Sequence, residues 1–77
     1  NEILSDGTDK FELLTTSGES IDINLSTHFT NQGSVYVDGK KAPSSTITFT
    51  FEASKNYITF SSAPSTDVVI EIERIFI

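Results

Sequence analysis

The dipeptide Asp38-Gly39 lies between two extended, β-rich segments, and it constrains the fold more than any other feature of the sequence. Both residues tolerate the positive φ angles that the two central positions of a tight hairpin turn require. The preceding Val35-Tyr36-Val37 is typical of a strand. Pro43 cannot donate a backbone hydrogen bond, which limits the returning segment, residues 40–45, to a short edge. The sequence therefore predicts a hairpin within an all-β chain.

Apolar and polar side chains alternate with a period of two in much of the remaining chain, as in half-buried strands. We predict further strands at residues 10–16, 21–25, 46–51 and 57–61, and from about residue 67 onward. The first two would pair through a turn at 17–20, and the next two through a turn at 53–56. No apolar stripe with a helical period is long enough for a helix. These patterns predict a single small antiparallel β-sandwich, Ig-like or a partly open barrel, of six to seven strands.

The two ends of the chain differ from this pattern. Residues 1–9 are mostly small, polar or acidic, so we expect a linker or N-terminal arm there and the sandwich domain at residues 10–77. In the polar connection before the central hairpin, Phe29 would anchor the loop on the core. The last residues are bulky and apolar, and we expect them to contact another copy or an adjoining domain: Ile75, Phe76 and Ile77.

The composition argues against several classes of function. The chain has 77 residues, a formal net charge of −6 and no cysteine, so neither a disulfide framework nor a Cys-based zinc site is expected. The negative charge opposes binding to nucleic acids and to anionic membranes. No apolar stretch approaches the roughly 20 residues that cross a bilayer. We therefore expect no nucleic-acid partner and no membrane insertion.

Few residues are candidates for chemistry. His28 is the only histidine, and the sequence has no nucleophile elbow, phosphate loop or zinc-protease motif. Residues 6–9 resemble part of a calcium loop but lack its third acid and bidentate Glu, so we interpret them as a turn. Asn24-Leu25-Ser26 matches a glycosylation acceptor, but it falls inside a predicted strand, and we interpret it as a coincidence. We predict no catalytic residue, no metal ion and no cofactor.

Aromatic residues are the remaining candidates for recognition. Tyr36 and Tyr57 occupy strand positions where a ring can stack on a sugar or contact a partner protein. The phenylalanines of the strands are core material in a chain without Trp or Met: Phe49, Phe51 and Phe60. Lys40 and Lys41 follow the hairpin turn, where lysines protect a sheet edge from strand addition.

The order Val-x-Val-Asp-Gly, aromatic strand, Ile-Thr-Phe, Ala-Pro and apolar strand resembles small β-domains of the tail fibres and tailspikes of tailed bacteriophages. The residues that carry the resemblance are Val35, Val37, Asp38, Gly39, Phe51, Ile58, Thr59, Phe60, Ala63, Pro64, Ile70 and Ile72. The stretch at 40–45 departs from the more regular proline-rich turn of that family. Because these residues determine a fold, they transfer architecture better than activity.

The resemblance implies a non-enzymatic structural or adaptor module of a virion appendage that spaces, docks or trimerises the host-recognition apparatus. The implied location is the virion, and the implied partners are other copies of the chain in a homotrimer and other virion proteins. A host surface glycan is a further candidate partner. Two alternatives stay open. One is a carbohydrate-binding module that contacts host glycans through Tyr36 and Tyr57, and the other is a bacterial adhesin or cell-surface repeat domain.

Overall fold

A computed structural model of the chain describes residues 2–73. These residues form short strands, one helix of seven residues and one 3₁₀ turn. In chain order the elements are β1 (Glu2–Leu4), β2 (Lys10–Glu12), α1 (Ser26–Gln32), β3 (Val35–Val37), β4 (Lys40–Lys41), the 3₁₀ turn (Ser44–Thr46), β5 (Ile47–Glu52), β6 (Lys55–Phe60) and β7 (Val69–Ile72).

The strands form two antiparallel sheets. The four-stranded sheet has the order β1-β7-β3-β4, and the three-stranded sheet has the order β2-β6-β5. The helix α1 packs against β5. The prediction of a small all-β antiparallel sandwich with six to seven strands is therefore confirmed.

The inner faces of both sheets and one side of α1 supply the core. Phe29 of α1 is almost fully buried, and its ring centroid lies 5.4 Å from that of Phe49 on β5. Phe11 and Phe60 meet edge to face with their centroids 6.1 Å apart. The prediction that Phe29 anchors its segment on the core is confirmed. The buried cluster consists of Phe11, Leu13, Phe29, Val35, Phe49, Ile58, Phe60, Ile70 and Ile72.

The central hairpin has the predicted turn. Asp38 and Gly39 have φ angles of 53° and 79°, and Val37 pairs with Lys40 across the turn. β4 has only two residues, both exposed, and it forms one edge of the four-stranded sheet. Pro43 follows it in an extended conformation. The short edge segment expected from that proline is confirmed.

The hairpin of β5 and β6 is longer than predicted because its turn is tighter. Glu52 pairs with Lys55, and the two residues between them, Ala53 and Ser54, have φ angles of 50° and 61°. The predicted turn at 53–56 is thus wrong in its second half. Phe51 is only half-buried and lies outside the core cluster, so its prediction as a core residue is also wrong.

The segment expected to be a linker or arm contributes a strand. In β1, Ile3 pairs with Ile70 of β7 and packs against the core. The assignment of residues 1–9 to a linker is revised accordingly, because part of this segment belongs to the four-stranded sheet. Three residues are too few for the alternation of a strand to stand out in the sequence. Ile75, Phe76 and Ile77 lie outside the described residues, so their predicted contacts stay predictions.

The predicted strand at 21–25 does not form. β2 pairs with β6 instead, and the expected first hairpin is reduced to one bridge between Leu14 and Ser20. Within that bridge, the N–H of Thr15 donates to the carbonyl of Glu19 at 2.8 Å. Ile21 is buried, whereas Ile23 is 62% exposed, so the alternating isoleucines do not share a buried face. The physical reason is that a side chain, described below, takes the backbone hydrogen bonds that a neighbouring strand would otherwise make.

Candidate functional site

Among the polar side chains that the structure describes, a buried asparagine on β6 makes the most hydrogen bonds to backbone groups. Asn56 is 1% exposed. Its Nδ2 donates to the carbonyl oxygens of Ile21 and Ile23, at 2.8 and 2.9 Å, and its Oδ1 accepts from the backbone N–H of Leu25 at 3.0 Å. Because carbonyl oxygens only accept and an amide N–H only donates, this arrangement fixes the orientation of the side chain.

The amide of Asn56 thus replaces a neighbouring strand for an irregular segment that leads into α1. The hydrogen bond to Ile21 is buried and the other two are partly buried. A buried backbone group left unpaired costs about 1–3 kcal/mol. The amide is not a reactive group, and all three hydrogen bonds serve the fold. Sequence reasoning placed Asn56 in a turn and missed this role. The available signal was its register, two residues before the buried Ile58 on the same strand.

A second buried polar residue fastens the N-terminal strand. Ser5 is 2% exposed, and its hydroxyl donates to the carbonyl of Pro64 at 3.2 Å and accepts from the N–H of Gly7 at 3.3 Å. Its backbone donates to the carbonyl of Val68 at 2.9 Å and accepts from the N–H of Asp67 at 2.8 Å. These bonds hold the end of β1 against the loop before β7.

The segment weighed as part of a calcium loop forms a hydrogen-bonded turn. Oδ1 of Asp6 accepts from the backbone N–H of Thr8 at 3.1 Å and from its hydroxyl at 2.7 Å. These bonds, chiefly the one from the hydroxyl, hold the pKa of the Asp6 carboxyl below its usual value. Within residues 2–73, no group of three or more His, Cys, Asp or Glu side chains is arranged to hold a metal ion.

Tyr57 lies on the outer face of the three-stranded sheet. Nζ of Lys10 is 4.5 Å from the centroid of its ring, and the same Nζ forms an ion pair with Glu52 at 2.6 Å. The hydrogen bond with Glu52 raises the pKa of Lys10 above its usual value. Because the ammonium group covers this face of the ring, the face is not open to a sugar.

Tyr36 lies on the outer face of the four-stranded sheet. It pairs with Lys41 on one side and Glu71 on the other, and its side chain is half-buried. Its hydroxyl donates to the carboxylate of Glu73. This hydrogen bond, together with the negative charges of Glu73 and Glu71, raises the pKa of Tyr36.

The two tyrosines therefore belong to opposite outer faces of the sandwich. Tyr36 alternates with the buried Val35 in one sheet, and Tyr57 alternates with the buried Ile58 in the other. Side chains of neighbouring strand residues point to opposite faces. The structure does not bring the two rings together, and one ligand cannot stack on both.

His28 and Asn24 lie near the start of α1. His28 is half-buried, and its ring meets that of Phe29 edge to face at 5.5 Å. Asn24 is exposed, and its Oδ1 accepts from the N–H and the hydroxyl of Ser26 at 3.0 and 2.7 Å. These bonds satisfy donors at the helix start. Asn24 thus lies in a loop, and its predicted place inside a strand is wrong.

An open cleft of about 300 Å³ lies between the central hairpin and the end of β6. Its lining is mainly apolar, and two adjacent lysines project at its rim. We call this feature the lysine cleft and define it by Val37, Lys40, Lys41, Pro43, Phe60, Ser62 and Pro64. Both lysines lie on the edge strand β4, where the sequence predicted a role in protecting the edge.

No protein-family model matches the chain, and neither a curated protein nor a solved structure was found to match it. No helix among residues 2–73 is long and apolar enough to span a membrane.

Proposed function

We propose that the chain is a non-enzymatic structural or adaptor module of a phage tail fibre, tailspike or related virion appendage, which spaces, docks or trimerises the host-recognition apparatus. One observation carries the proposal: seven of the twelve residues behind the phage resemblance form the central turn or belong to the buried core. Asp38 and Gly39 make the tight turn. The buried members of the set come from both sheets: Val35, Ile58, Phe60, Ile70 and Ile72.

The use of buried polar groups also supports a structural role. The side chains of Asn56 and Ser5 bond to backbone groups that are distant in the sequence. A small domain without disulfides needs such tethers, because a core of this size stabilises only a modest number of ordered residues. The tethers favour a stiff module that keeps its shape within an assembly.

The placement of the first and last strands favours docking over end-to-end spacing. Glu2 of β1 pairs with Glu71 of β7, so these residues lie side by side at one end of the sandwich. A chain that continued beyond both strands would leave from the same end. Such a module projects from its neighbours and presents its remaining surface to partners.

Immunogold electron microscopy of phage particles purified from cells that express the gene would test the proposal. Antibodies raised against the domain are expected to label the tail appendages. Antibodies first absorbed with the purified domain are the control and should label nothing. Label confined to the bacterial surface, with bare particles, would contradict the proposal and favour the adhesin alternative.

Carbohydrate binding is a second candidate, and the surroundings of Tyr36 favour that residue over Tyr57. Lys41 and Glu71 flank Tyr36 in register and offer a donor and an acceptor to sugar hydroxyl groups. A glycan array would test this role. Binding by the wild-type chain should be lost in Tyr36→Ala and kept in Tyr57→Ala. Equal loss in both variants, or no binding by the wild-type chain, would contradict it.

A further inference from the structure

The two edges of the four-stranded sheet carry opposite charges. β1, at one edge, begins with Glu2, and β4, at the other, consists of Lys40 and Lys41. Between them lie β7, with the exposed Glu71, and β3. The sheet therefore has one acidic edge and one basic edge.

The acidic edge also exposes apolar side chains. On the outer face, Leu4 is 62% exposed and Val69 is 43% exposed, and the two pair across β1 and β7. In the same face, Glu2 pairs with Glu71. Like charges directly opposite each other on adjacent strands destabilise a sheet, and a cation placed over them removes that repulsion. We call Glu2, Leu4, Val69 and Glu71 the β1–β7 strip.

The lysine cleft has the complementary character. Neither Lys40 nor Lys41 forms an ion pair with an acid of residues 2–73, where Lys10 and Glu52 do form one. The walls of the cleft are apolar, with Val37 and Phe60 among the lining residues. An occupant that joins exposed apolar groups to carboxylates fits both properties.

We propose that the β1–β7 strip of one copy docks against the lysine cleft of a second copy, so that the chain associates head to tail. The inference rests on the self-association contained in the proposed function, and it names the surfaces involved. Within one molecule, Tyr36 of β3 lies between Glu71 of the strip and Lys41 of the cleft, and no ion pair joins these two residues. A contact between two different surfaces is heterologous, and it closes into a ring or grows into a filament.

Charge complementarity selects a second copy as the occupant. The chain has a net charge of −6, and among residues 2–73 neither the acids of the strip nor the two lysines form an ion pair. Head-to-tail contact places each against the other and covers Leu4 and Val69. Such complementarity mainly sets specificity and the rate of association.

Sedimentation velocity at low salt tests whether the charges direct assembly. The wild-type chain should self-associate. Two double variants, Lys40→Glu/Lys41→Glu and Glu2→Lys/Glu71→Lys, should each self-associate at least ~10-fold more weakly, because like charges then face each other at the contact. Mixing the two variants should restore association, because each then offers a surface of the opposite charge. Asp9→Lys/Asp22→Lys changes two exposed acids outside the strip, is the control matched in charge to Glu2→Lys/Glu71→Lys, and should not weaken association.

Disulfide trapping tests the geometry. The chain has no cysteine, so Leu4→Cys and Ser62→Cys can be introduced in separate chains without background. Mixed under mild oxidation, the two chains should form the heterodisulfide faster than either homodisulfide. Ile23→Cys, equally exposed but outside the strip, should not cross-link to Ser62→Cys at that rate.

Each negative result has a distinct meaning. A wild-type chain that self-associates, but ignores charge reversal or forms only the Leu4→Cys homodisulfide, overturns the head-to-tail contact and leaves the proposed function standing. A wild-type chain that stays monomeric up to millimolar concentration overturns the contact and counts against the self-association in the proposed function.

Discussion

At the scale of single residues, Asn56 explains the largest departure from the sequence pattern. It occupies an inward-facing position of β6, where an apolar residue would be expected, and it replaces a strand as the partner of residues 21–25. The hydrogen bond from Asn56 to the carbonyl of Ile21 is buried, where an unpaired carbonyl oxygen could not bond to water instead.

Asn56→Asp should destabilise the domain by about 3 kcal/mol or more, because it removes two donors and places a carboxylate beside two carbonyl oxygens. Burial raises the pKa of the introduced carboxyl in the folded state, so the folded variant favours the protonated form. The loss of stability should therefore be smaller at pH 4 and grow as the pH rises. Urea unfolding at both pH values measures it.

Asn31→Asp is the control for that measurement, because Asn31 is exposed on α1. Its unfolding free energy should stay within about 0.5 kcal/mol of wild type. An Asn56→Asp variant as stable as this control would contradict the assigned hydrogen bonds.

Asp6 should titrate below the usual range for an aspartate, because Thr8 donates two hydrogen bonds to its carboxylate. A lowered pKa in the folded state stabilises the fold at pH values above the ordinary Asp range. That contribution is lost as the pH falls through the folded pKa. Carboxyl NMR titration should show that Thr8→Val moves the pKa of Asp6 upward. An unchanged pKa in the variant would show that the hydroxyl does not hold this turn.

At the scale of elements, the backbone in the turn of the β5–β6 hairpin is strained, and substitutions can remove that strain. Ala53 and Ser54 both adopt positive φ, which side chains other than Asn, Asp and Gly seldom tolerate. Ala53→Asn/Ser54→Gly should raise the unfolding free energy by about 1 kcal/mol, measured by thermal denaturation.

Gly39→Ala offers the opposite test in the central hairpin. A Cβ at position 39 meets no atom within 4 Å, so its cost comes from the backbone at φ 79° alone. Stability should fall by about 1 kcal/mol. If both turns responded in the same direction, the assigned turn conformations would be wrong.

Turn chemistry also accounts for which elements the sequence predicts. The hairpins around Asp38-Gly39 and β5–β6 depend on neighbouring residues, so local patterns found them. The strand at 21–25 failed because alternation cannot show that a side chain about 30 residues later in the chain will take the backbone hydrogen bonds. The helix α1 has seven residues, too few for a helical period to emerge.

The candidate recognition residues were predictable only in part. Alternation places Tyr36 and Tyr57 on the faces opposite their buried neighbours. It does not give the strand order, which assigns them to different sheets. The lysine cleft could not be predicted from the sequence either. Lys41 and Phe60 come together only through the packing of the two sheets.

At the scale of the whole molecule, stability depends on one small core that α1 completes. Phe29→Ala should cost about 3–5 kcal/mol, since it removes a fully buried ring in contact with Phe49. The free energy of unfolding of a small domain is only about 5–15 kcal/mol, so the variant should melt at a much lower temperature. Ile23→Ala, at a 62% exposed position, is the control and should change little. Equal effects would contradict the packing of α1 on β5.

In the whole molecule, one sheet of the sandwich has edges of opposite charge, and the first and last strands lie side by side. These features suit a module that docks on copies of itself and on neighbouring proteins.

The most direct measurement is quantitative mass spectrometry of phage particles purified from cells that express the gene. We expect the chain's peptides in the particles, in a ratio to a tail protein of known copy number that corresponds to a multiple of three. Peptides absent from the particles but recovered from the host envelope or the soluble lysate would contradict a role in a virion appendage.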